Sequence, residues 1–269
     1  MPLAVSNIAW DPHDDGEIFP LLRMLGVEGV EVAPTKIWPD WIGVSAQSGS
    51  QFAALMASEG FRVPSLQAIV YGLPNLLLFG NKIQRKALVE HIKLVADLAS
   101  AMGAEKLVFG APKNRLKGSL GFADAFQQAS EVFLEIAEVC HDRGACFCIE
   151  PNPREYGCDF ITNSKDAIRL IQQVRHPGFG LHLDSAAMTL AGEDVEESIR
   201  LSGKAICHYH ASEPMLSDFS SVRVNHFAAG RSLRNIDYHG WIAIEMVVSS
   251  DPPEAIRRAV SIVRGAYQL

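Results

Sequence analysis

Four segments in the second half of the chain share one pattern, an apolar run that stops on a residue able to bind a metal or a proton. The runs CFCIE, GFGLHLD, AICHYH and WIAIE end on Glu150, Asp184, His210 and Glu245. Unbroken apolar runs are typical of parallel strands, because both faces of a parallel sheet are buried. Successive runs lie roughly 30 residues apart, about the length of one strand-helix-strand unit. The pattern predicts neighbouring parallel strands that bring these four side chains to one rim.

The rest of the chain continues the same alternation of apolar runs and helical patterns. Earlier strand-like runs cover residues 3–10, 26–34, 61–72 and 104–112, and helical spacing is clearest in 46–58, 82–102, 122–143 and 164–174. No Ser/Gly/Pro-rich linker separates the elements, and a barrel of about 250 residues is commonly one domain. We therefore predict an α/β protein in which residues 1–269 form a single (β/α)8 TIM barrel. An open doubly wound sheet is the alternative, but the phosphate fingerprint G-x-G-x-x-G does not follow the first strand.

Composition limits the kinds of partner and the cellular location that we expect for the protein. The formal net charge is -7, and no Lys/Arg run could follow a nucleic-acid backbone, so we expect no nucleic-acid partner. No apolar stretch of about 18 residues could cross a membrane, and MPLAVSNIAWDPHDDGE does not resemble a signal peptide, so we expect a cytoplasmic protein. The five cysteines form no C-x-x-C pair, and we interpret Cys146, Cys148 and Cys207 as small core residues.

Three carboxylates and one imidazole converging on a rim favour a divalent cation. Buried carboxylates repel one another at a cost of several kcal/mol each unless they are paired or coordinated. Oxygen-rich ligation with one imidazole suits Mn²⁺, which we expect, with Mg²⁺, Co²⁺ or Zn²⁺ as alternatives. The competing interpretation is that Glu150, Asp184, His210 and Glu245 are unrelated residues at strand ends.

Several segments resemble the sugar phosphate isomerase/epimerase group of the xylose isomerase-like TIM-barrel superfamily: SNIAW, GVEVAPTKIWPDW, IEPNP, HLDSAAM, HYHASEP and HGWIAIEM. The resemblance covers essentially the whole chain. It implies that Glu150, Asp184, His210 and Glu245 are the metal ligands. It also implies that Glu150 and Glu245 are catalytic and face opposite sides of a bound sugar, one taking a proton and the other returning one.

The function implied by the resemblance is a metal-dependent isomerase or epimerase. Its substrate would be a small keto-sugar, a sugar phosphate or a related polyhydroxy carbonyl compound, deprotonated next to a metal-bound carbonyl through an enediolate. A metal-dependent dehydratase of the inosose type and a non-catalytic sugar-binding barrel are alternatives. A phosphodiesterase of the endonuclease IV type is disfavoured by the acidic charge. Relatives are often dimers or tetramers, which leaves a homo-oligomer open, and the apolar loop 75–79 would suit an interface or a lid.

The sequence departs from the epimerase pattern at positions that bind the substrate in those enzymes. Ala187 stands where these enzymes carry a substrate-binding His, no Arg follows His210 closely, and Glu155 only approximates a Glu of the pattern. His208, one pleat position from His210, is expected to be a hydrogen-bonded interior histidine. Other loop residues could contact the ligand instead, although Lys113 and Arg115 could equally belong to a solvated basic loop. The candidate substrate contacts are Lys36, Trp38, Tyr71, Lys113, Arg154, Glu155 and His226.

Overall fold

The computed structural model describes residues 1–269 and contains eight parallel strands. They are β1 Leu3–Ser6, β2 Gly29–Glu31, β3 Ser65–Leu66, β4 Lys106–Phe109, β5 Cys146–Ile149, β6 Phe179–Asp184, β7 Ile206–Ser212 and β8 Ile242–Glu245. Their order in the sheet is β2-β1-β8-β7-β6-β5-β4-β3. Isolated bridges from Gly29 to Arg62 and from Val32 to Leu66 join β2 to the β3 segment and close the circle. The predicted single (β/α)8 barrel is confirmed.

Nine helices surround the barrel. They are α1 Asp15–Met24, α2 Ala46–Ser58, α3 Lys82–Met102, α4 Phe122–His141, α5 Ser164–Val174, α6 Ser185–Leu190, α7 Val195–Ser202, α8 His226–Asn235 and α9 Pro252–Tyr267. Helices α2 and α3 begin with capping boxes, in which Ser45 and Asn81 exchange hydrogen bonds with the residue three positions later. Helix α3 ends before Gly103, whose φ of 73° lies in the left-handed region. No helix is both long and apolar enough to cross a lipid bilayer.

The strands are shorter than the apolar runs that predict them. The first strand stops at Ser6 because Asn7–Ala9 turn into a 3-10 helix. The run 61–72 yields only Ser65–Leu66 as strand, and Ala68 has a left-handed φ of 53° that ends the extended backbone. The apolar loop 75–79 is not an exposed patch, since Leu78 is fully buried and Phe79 packs on the ring of Phe160. Leu78 and Phe79 therefore pack into the protein and do not form an exposed apolar surface.

The core has two parts, one between the strands and the helices and one inside the barrel. The outer part is apolar, with the rings of Phe109, Phe133, Phe147 and Phe179 packed against one another between β4, β5, β6 and α4. The inner part is polar: Glu31, Ser65, His182, His208 and His210 are buried side chains of strands. Because alternate residues of a strand point to opposite faces, the same strands supply both parts.

Candidate active site

The four predicted residues lie at the carboxyl ends of adjacent strands. Glu150 follows β5 directly, Asp184 and Glu245 are the last residues of β6 and β8, and His210 lies in β7. Strand register places Asp184 beside His210. Potential ligand atoms of Asp184, His210 and Glu245 all lie within 4.8 Å of one another. Nδ1 of His210 is 3.1 Å from Oε2 of Glu245 and 3.9 Å from Oδ2 of Asp184.

The carboxylate of Asp184 is held in place by the start of α6. Its Oδ1 accepts a hydrogen bond from the backbone N–H of Ala187 at 2.6 Å, and its Oδ2 accepts one from the hydroxyl of Ser212. Asp184 is therefore the N-cap of α6 as well as a residue of the rim. Ala187 is buried against this turn, so the position that carries a His in the resembling epimerases supplies only a backbone N–H here.

Glu150 completes the site from the neighbouring strand. Gly110, at the end of β4, faces its carboxylate, and a Cβ there would overlap Oε2 of Glu150. Arg115 donates from Nη2 to the backbone oxygen of Glu150 at 2.6 Å and is fully buried. Arg115 is thus neither part of a solvated basic loop nor a lining residue of the cavity; it supports the loop that carries Glu150.

Burial and neighbouring negative charge raise the pKa values of Glu150 and Asp184. Burial, followed by the charges of Asp184 and Glu245, raises the pKa of Glu150 to about 8. Burial and the charge of Glu245 raise the pKa of Asp184 to about 6. Asp184 and Glu245 each pair with the imidazole of His210. The site gathers more negative charge than its surroundings neutralise, and its oxygen and imidazole donors suit a divalent ion, so the residues present fit a bound metal.

A fifth ionisable residue, Glu31, orients the imidazole of His210. Glu31 ends β2 and is fully buried. Its Oε1 accepts from the hydroxyl of Ser65 at 2.7 Å and lies 2.7 Å from Nε2 of His208, and its Oε2 lies 2.9 Å from Nε2 of His210. Burial alone would raise the pKa of Glu31, but the imidazoles of His210 and His208 lower it well below its usual range.

The contact with Glu31 decides which nitrogen of His210 faces the rim. Because Nε2 of His210 is turned to Glu31, its Nδ1 is left facing Asp184 and Glu245. A carboxylate behind a metal-binding histidine fixes the ring in this way in many metal sites. His208 is hydrogen-bonded inside the barrel, as expected, through Nε2. The sequence signal for Glu31 was present, since the run GVE also ends on a carboxylate.

The rim opens into a cavity of about 580 Å³. Glu150, Asp184 and Glu245 line its floor, and most of the wall comes from the segments after β3 and β4, residues 67–74 and 110–114. Asn152 and Tyr156 complete the lining on the β5 side. This volume suits a small organic ligand, and polar side chains line it both at the strand-end carboxylates and on the wall, where Lys113 and Tyr156 lie.

Two of the seven predicted substrate contacts line this cavity, namely Tyr71 and Lys113. Lys36 lines a separate small pocket with Trp10 and Asp15. Trp38 packs against Phe52, with ring centroids 5.9 Å apart.

The remaining predicted contacts lie away from the cavity wall. Arg154 and Glu155 are exposed on a 3-10 turn, whose next residue, Tyr156, faces the cavity instead. The lining residue of this turn is therefore Tyr156, and the predicted contacts Arg154 and Glu155 are its exposed neighbours.

His226, a predicted substrate contact, does not line the cavity. His226 begins α8 and is buried, with Nε2 3.0 Å from Oε1 of Glu213 and Nδ1 3.0 Å from the hydroxyl of Tyr267. Glu213 is itself fully buried and accepts from the backbone N–H groups of Arg223 and Val224. Both side chains therefore tie the β7–α8 loop to α9, and neither has a free polar atom for a ligand.

With the barrel and its rim established, sequence comparison identifies the family. Residues 19–265 match the family described as xylose isomerase-like TIM barrel. The chain belongs to this family. A D-psicose 3-epimerase of Ruminiclostridium cellulolyticum is 24% identical over 123 residues, which are 46% of this chain and 42% of that protein.

Solved structures of this family share the whole fold. A D-psicose 3-epimerase from Clostridium cellulolyticum H10, crystallised with D-tagatose, superposes with a TM-score of 0.80 at 15% identity, covering 99% of both chains. The IOLI protein with a bound zinc atom superposes with a TM-score of 0.77 at 16% identity, covering 100% of this chain and 98% of that one. At these identities the likeness establishes the fold, and the site must be argued from its own residues.

Proposed function

We propose that the protein is a divalent-metal-dependent isomerase or epimerase of a small keto-sugar or related polyhydroxy carbonyl compound. The observation that carries the proposal is the cluster of Asp184, His210 and Glu245 within 4.8 Å, beside Glu150, at the floor of a cavity of about 580 Å³. The two D-psicose 3-epimerases named above support the same substrate class. We propose Glu150, Asp184, His210 and Glu245 as the metal ligands and Mn²⁺ as the ion.

The metal and the glutamates would divide the chemistry between them. When bound, the divalent ion would supply Lewis-acid stabilisation of the negative charge that develops on the substrate's carbonyl oxygen. Glu150 would take the proton from the carbon next to the carbonyl, and Glu245 would return a proton on the other face. Glu150 follows β5 and Glu245 ends β8, with β6 and β7 between them, so the two acids would approach a ligand from different sides of the cavity floor. The two glutamates would exchange their acid and base roles when the reaction runs in reverse, since each direction uses the same groups.

The cavity wall would select the sugar. Lys113, Asn152 and Tyr156 present polar groups that could bond hydroxyls or a phosphate, and Tyr71 offers a ring face. Ala187 supplies no imidazole to the cavity, so we expect a substrate preference different from that of the resembling epimerases. Both free and phosphorylated keto-sugars belong in a screen.

The test is hydrogen exchange between solvent and substrate. Metal-loaded protein is incubated in D₂O with a panel of keto-sugars and their phosphates, and deuterium on the carbon next to the carbonyl is followed by NMR. We expect incorporation together with a new epimer or isomer for at least one sugar, and loss of both in Glu150→Gln. Glu155→Gln, an exposed neighbour on the following turn, is the matched control and should retain activity.

Two other results would redirect the proposal. Loss of water from the substrate in place of reprotonation would identify a dehydratase on the same scaffold. Tight sugar binding to the metal-loaded protein with no deuterium incorporation into any compound would contradict catalysis and favour the non-catalytic sugar-binding barrel.

A further inference from the structure

Three thiols converge at the opposite, amino-terminal end of the barrel. Cys146 is the first residue of β5, Cys148 lies two positions later, and Cys207 is the second residue of β7. Their sulfur atoms all lie within 4.8 Å of one another, and the Sγ atoms of Cys146 and Cys207 are 3.7 Å apart. All three cysteines are free. Describing them only as small core residues does not account for this convergence.

The intervening strand is shaped to admit the cluster. Strand β6 lies between β5 and β7, and its residue beside Cys148 is Gly180. A Cβ at Gly180 would overlap the sulfur of Cys207 and come within 3.1 Å of the sulfur of Cys146. The register between β6 and β7 also shifts next to Leu181, so that Cys207 is the extra residue on its strand. The missing side chain and the bulge together bring the sulfur atoms of two non-adjacent strands into contact.

The spacing and charge suit a thiophilic cation. A zinc-sulfur bond of about 2.3 Å in tetrahedral geometry separates neighbouring thiolates by about 3.8 Å, close to the 3.7 Å between Cys146 and Cys207. Lys106, the first residue of β4, pairs in register with Cys146, and its Nζ also lies 3.9 Å from Oε2 of the exposed Glu105. Its ammonium would offset part of the charge left when three thiolates bind a divalent ion. Cys207 is partly exposed and provides a route from solvent.

We propose that Cys146, Cys148 and Cys207 form a second cation site, which binds Zn²⁺ as thiolates with a water molecule in the fourth position. Binding releases the three thiol protons to solvent and changes no oxidation state. Cys146 precedes Glu150 by four residues, or about 13 Å of strand, so the site is separate from the carboxylate rim and does not depend on the proposed sugar chemistry. The ion would join the amino-terminal ends of β5 and β7 across β6.

Cobalt spectroscopy distinguishes this site from the carboxylate site. The protein is prepared under a non-thiol reductant, stripped of metal, and titrated with Co²⁺, whose thiolate complexes show a charge-transfer band in the near ultraviolet. We expect this band in the wild type and in Asp184→Asn, and its displacement by Zn²⁺. Cys146→Ser and Cys207→Ser should weaken Co²⁺ binding at this band at least tenfold. Cys158→Ser, a buried cysteine outside the cluster, should retain it.

A second measurement uses only the wild-type protein and so does not depend on folded variants. Zn²⁺ should protect Cys207 from alkylation by iodoacetamide, mapped by mass spectrometry, at least tenfold relative to the metal-free protein. Absence of both the charge-transfer band and the protection would overturn the proposal. Formation of a Cys146–Cys207 disulfide on adding hydrogen peroxide, with no ion bound under reducing conditions, would also overturn it.

Discussion

The two halves of the barrel contribute different things to the site. Strands β5 to β8 deliver Glu150, Asp184, His210 and Glu245, and the longest strands are among them, with six residues in β6 and seven in β7. Strands β2 and β3 contain only three and two residues, and the segments that follow β3 and β4 form most of the cavity wall. The candidate reactive groups thus lie at the ends of the strands of the second half, and most of the cavity wall is formed by irregular loops of the first half.

This difference has a physical basis. Metal ligands must be held within a few tenths of an ångström, which hydrogen-bonded strands achieve and loops do not. A wall that selects among sugars can vary without disturbing the ligands, and loops tolerate such variation. We therefore expect substitutions in the second half to abolish chemistry and those in the first half to change affinity.

The largest effect should come from Asp184→Asn. This substitution keeps the size of the side chain and its capping bond to Ala187 but removes one negative charge from the ligand cluster. We expect metal affinity and turnover to fall by more than about 100-fold. Calorimetric metal titration and the deuterium-exchange assay measure the two quantities. Asp237→Asn, at an exposed position, is the control and should change neither quantity. If Asp184→Asn still binds metal and turns over substrate, the inference that the second half of the barrel supplies the reactive groups is wrong.

Glu31→Gln tests the one exception in the first half. Glu31 is the partner of His208 and His210, so its neutralisation leaves two buried imidazoles without their carboxylate. We expect a loss of about 3 kcal/mol in the free energy of unfolding and roughly tenfold weaker metal binding. Urea denaturation and metal titration provide the measurements. Glu28→Gln, on the exposed approach to the same strand, should leave both quantities unchanged.

Glu31 also shows which parts of the fold and the site could be predicted from the sequence. Helices α2 and α3 follow from the helical spacing of apolar residues in 46–58 and 82–102, and the structure has them at these bounds. The four rim residues follow from strands that end on polar groups. Glu31 obeys the same pattern but was passed over, because β2 is short and its partners, His208 and His210, lie some 180 residues later in the chain.

Residues whose role depends on a tertiary partner could not be predicted in the same way. His226 resembles a loop ligand in sequence, and only the packing of α8 on α9 brings Glu213 and Tyr267 to its ring nitrogens. Arg115 sits in a basic stretch, yet its loop folds inward to reach the backbone of Glu150. Tyr156 carries no pattern that separates it from its exposed neighbours. Side-chain direction in loops is fixed by long-range contacts, which periodicity does not encode.

The pH dependence of stability tests how unfavourable the charge of Glu150 is at the rim of the barrel. Burial and the charges of Asp184 and Glu245 raise the pKa of Glu150 from its ordinary 4.5 to about 8 in the metal-free protein. Between these values the unfolded chain releases a proton that the folded chain keeps. The stability that Glu150 contributes is therefore complete below about pH 4.5 and lost as pH rises towards 8.

We expect the metal-free Glu150→Gln variant to gain stability over the wild type by on the order of 2 kcal/mol between about pH 5 and pH 8, since Glu150 is only half-buried. Urea unfolding at the two pH values measures the difference. Saturating Mn²⁺ should stabilise the wild type and not the variant. A constant difference across the pH range would mean that the rim carboxylates do not repel one another.

The smallest effect should come from a substitution in the loops that form the cavity wall. Lys113 lines the cavity from the segment after β4 and is exposed, so Lys113→Ala should leave folding and metal binding intact. If Lys113 contacts the substrate equally in the ground state and the transition state, KM rises about three- to tenfold while kcat is unchanged. Steady-state kinetics on the sugar found by deuterium exchange measure both constants, with Lys117→Ala in the same loop as the control. A fall in kcat without a change in KM would place Lys113 in the chemistry, and the division between a reactive second half and a selective first half would then fail at this residue.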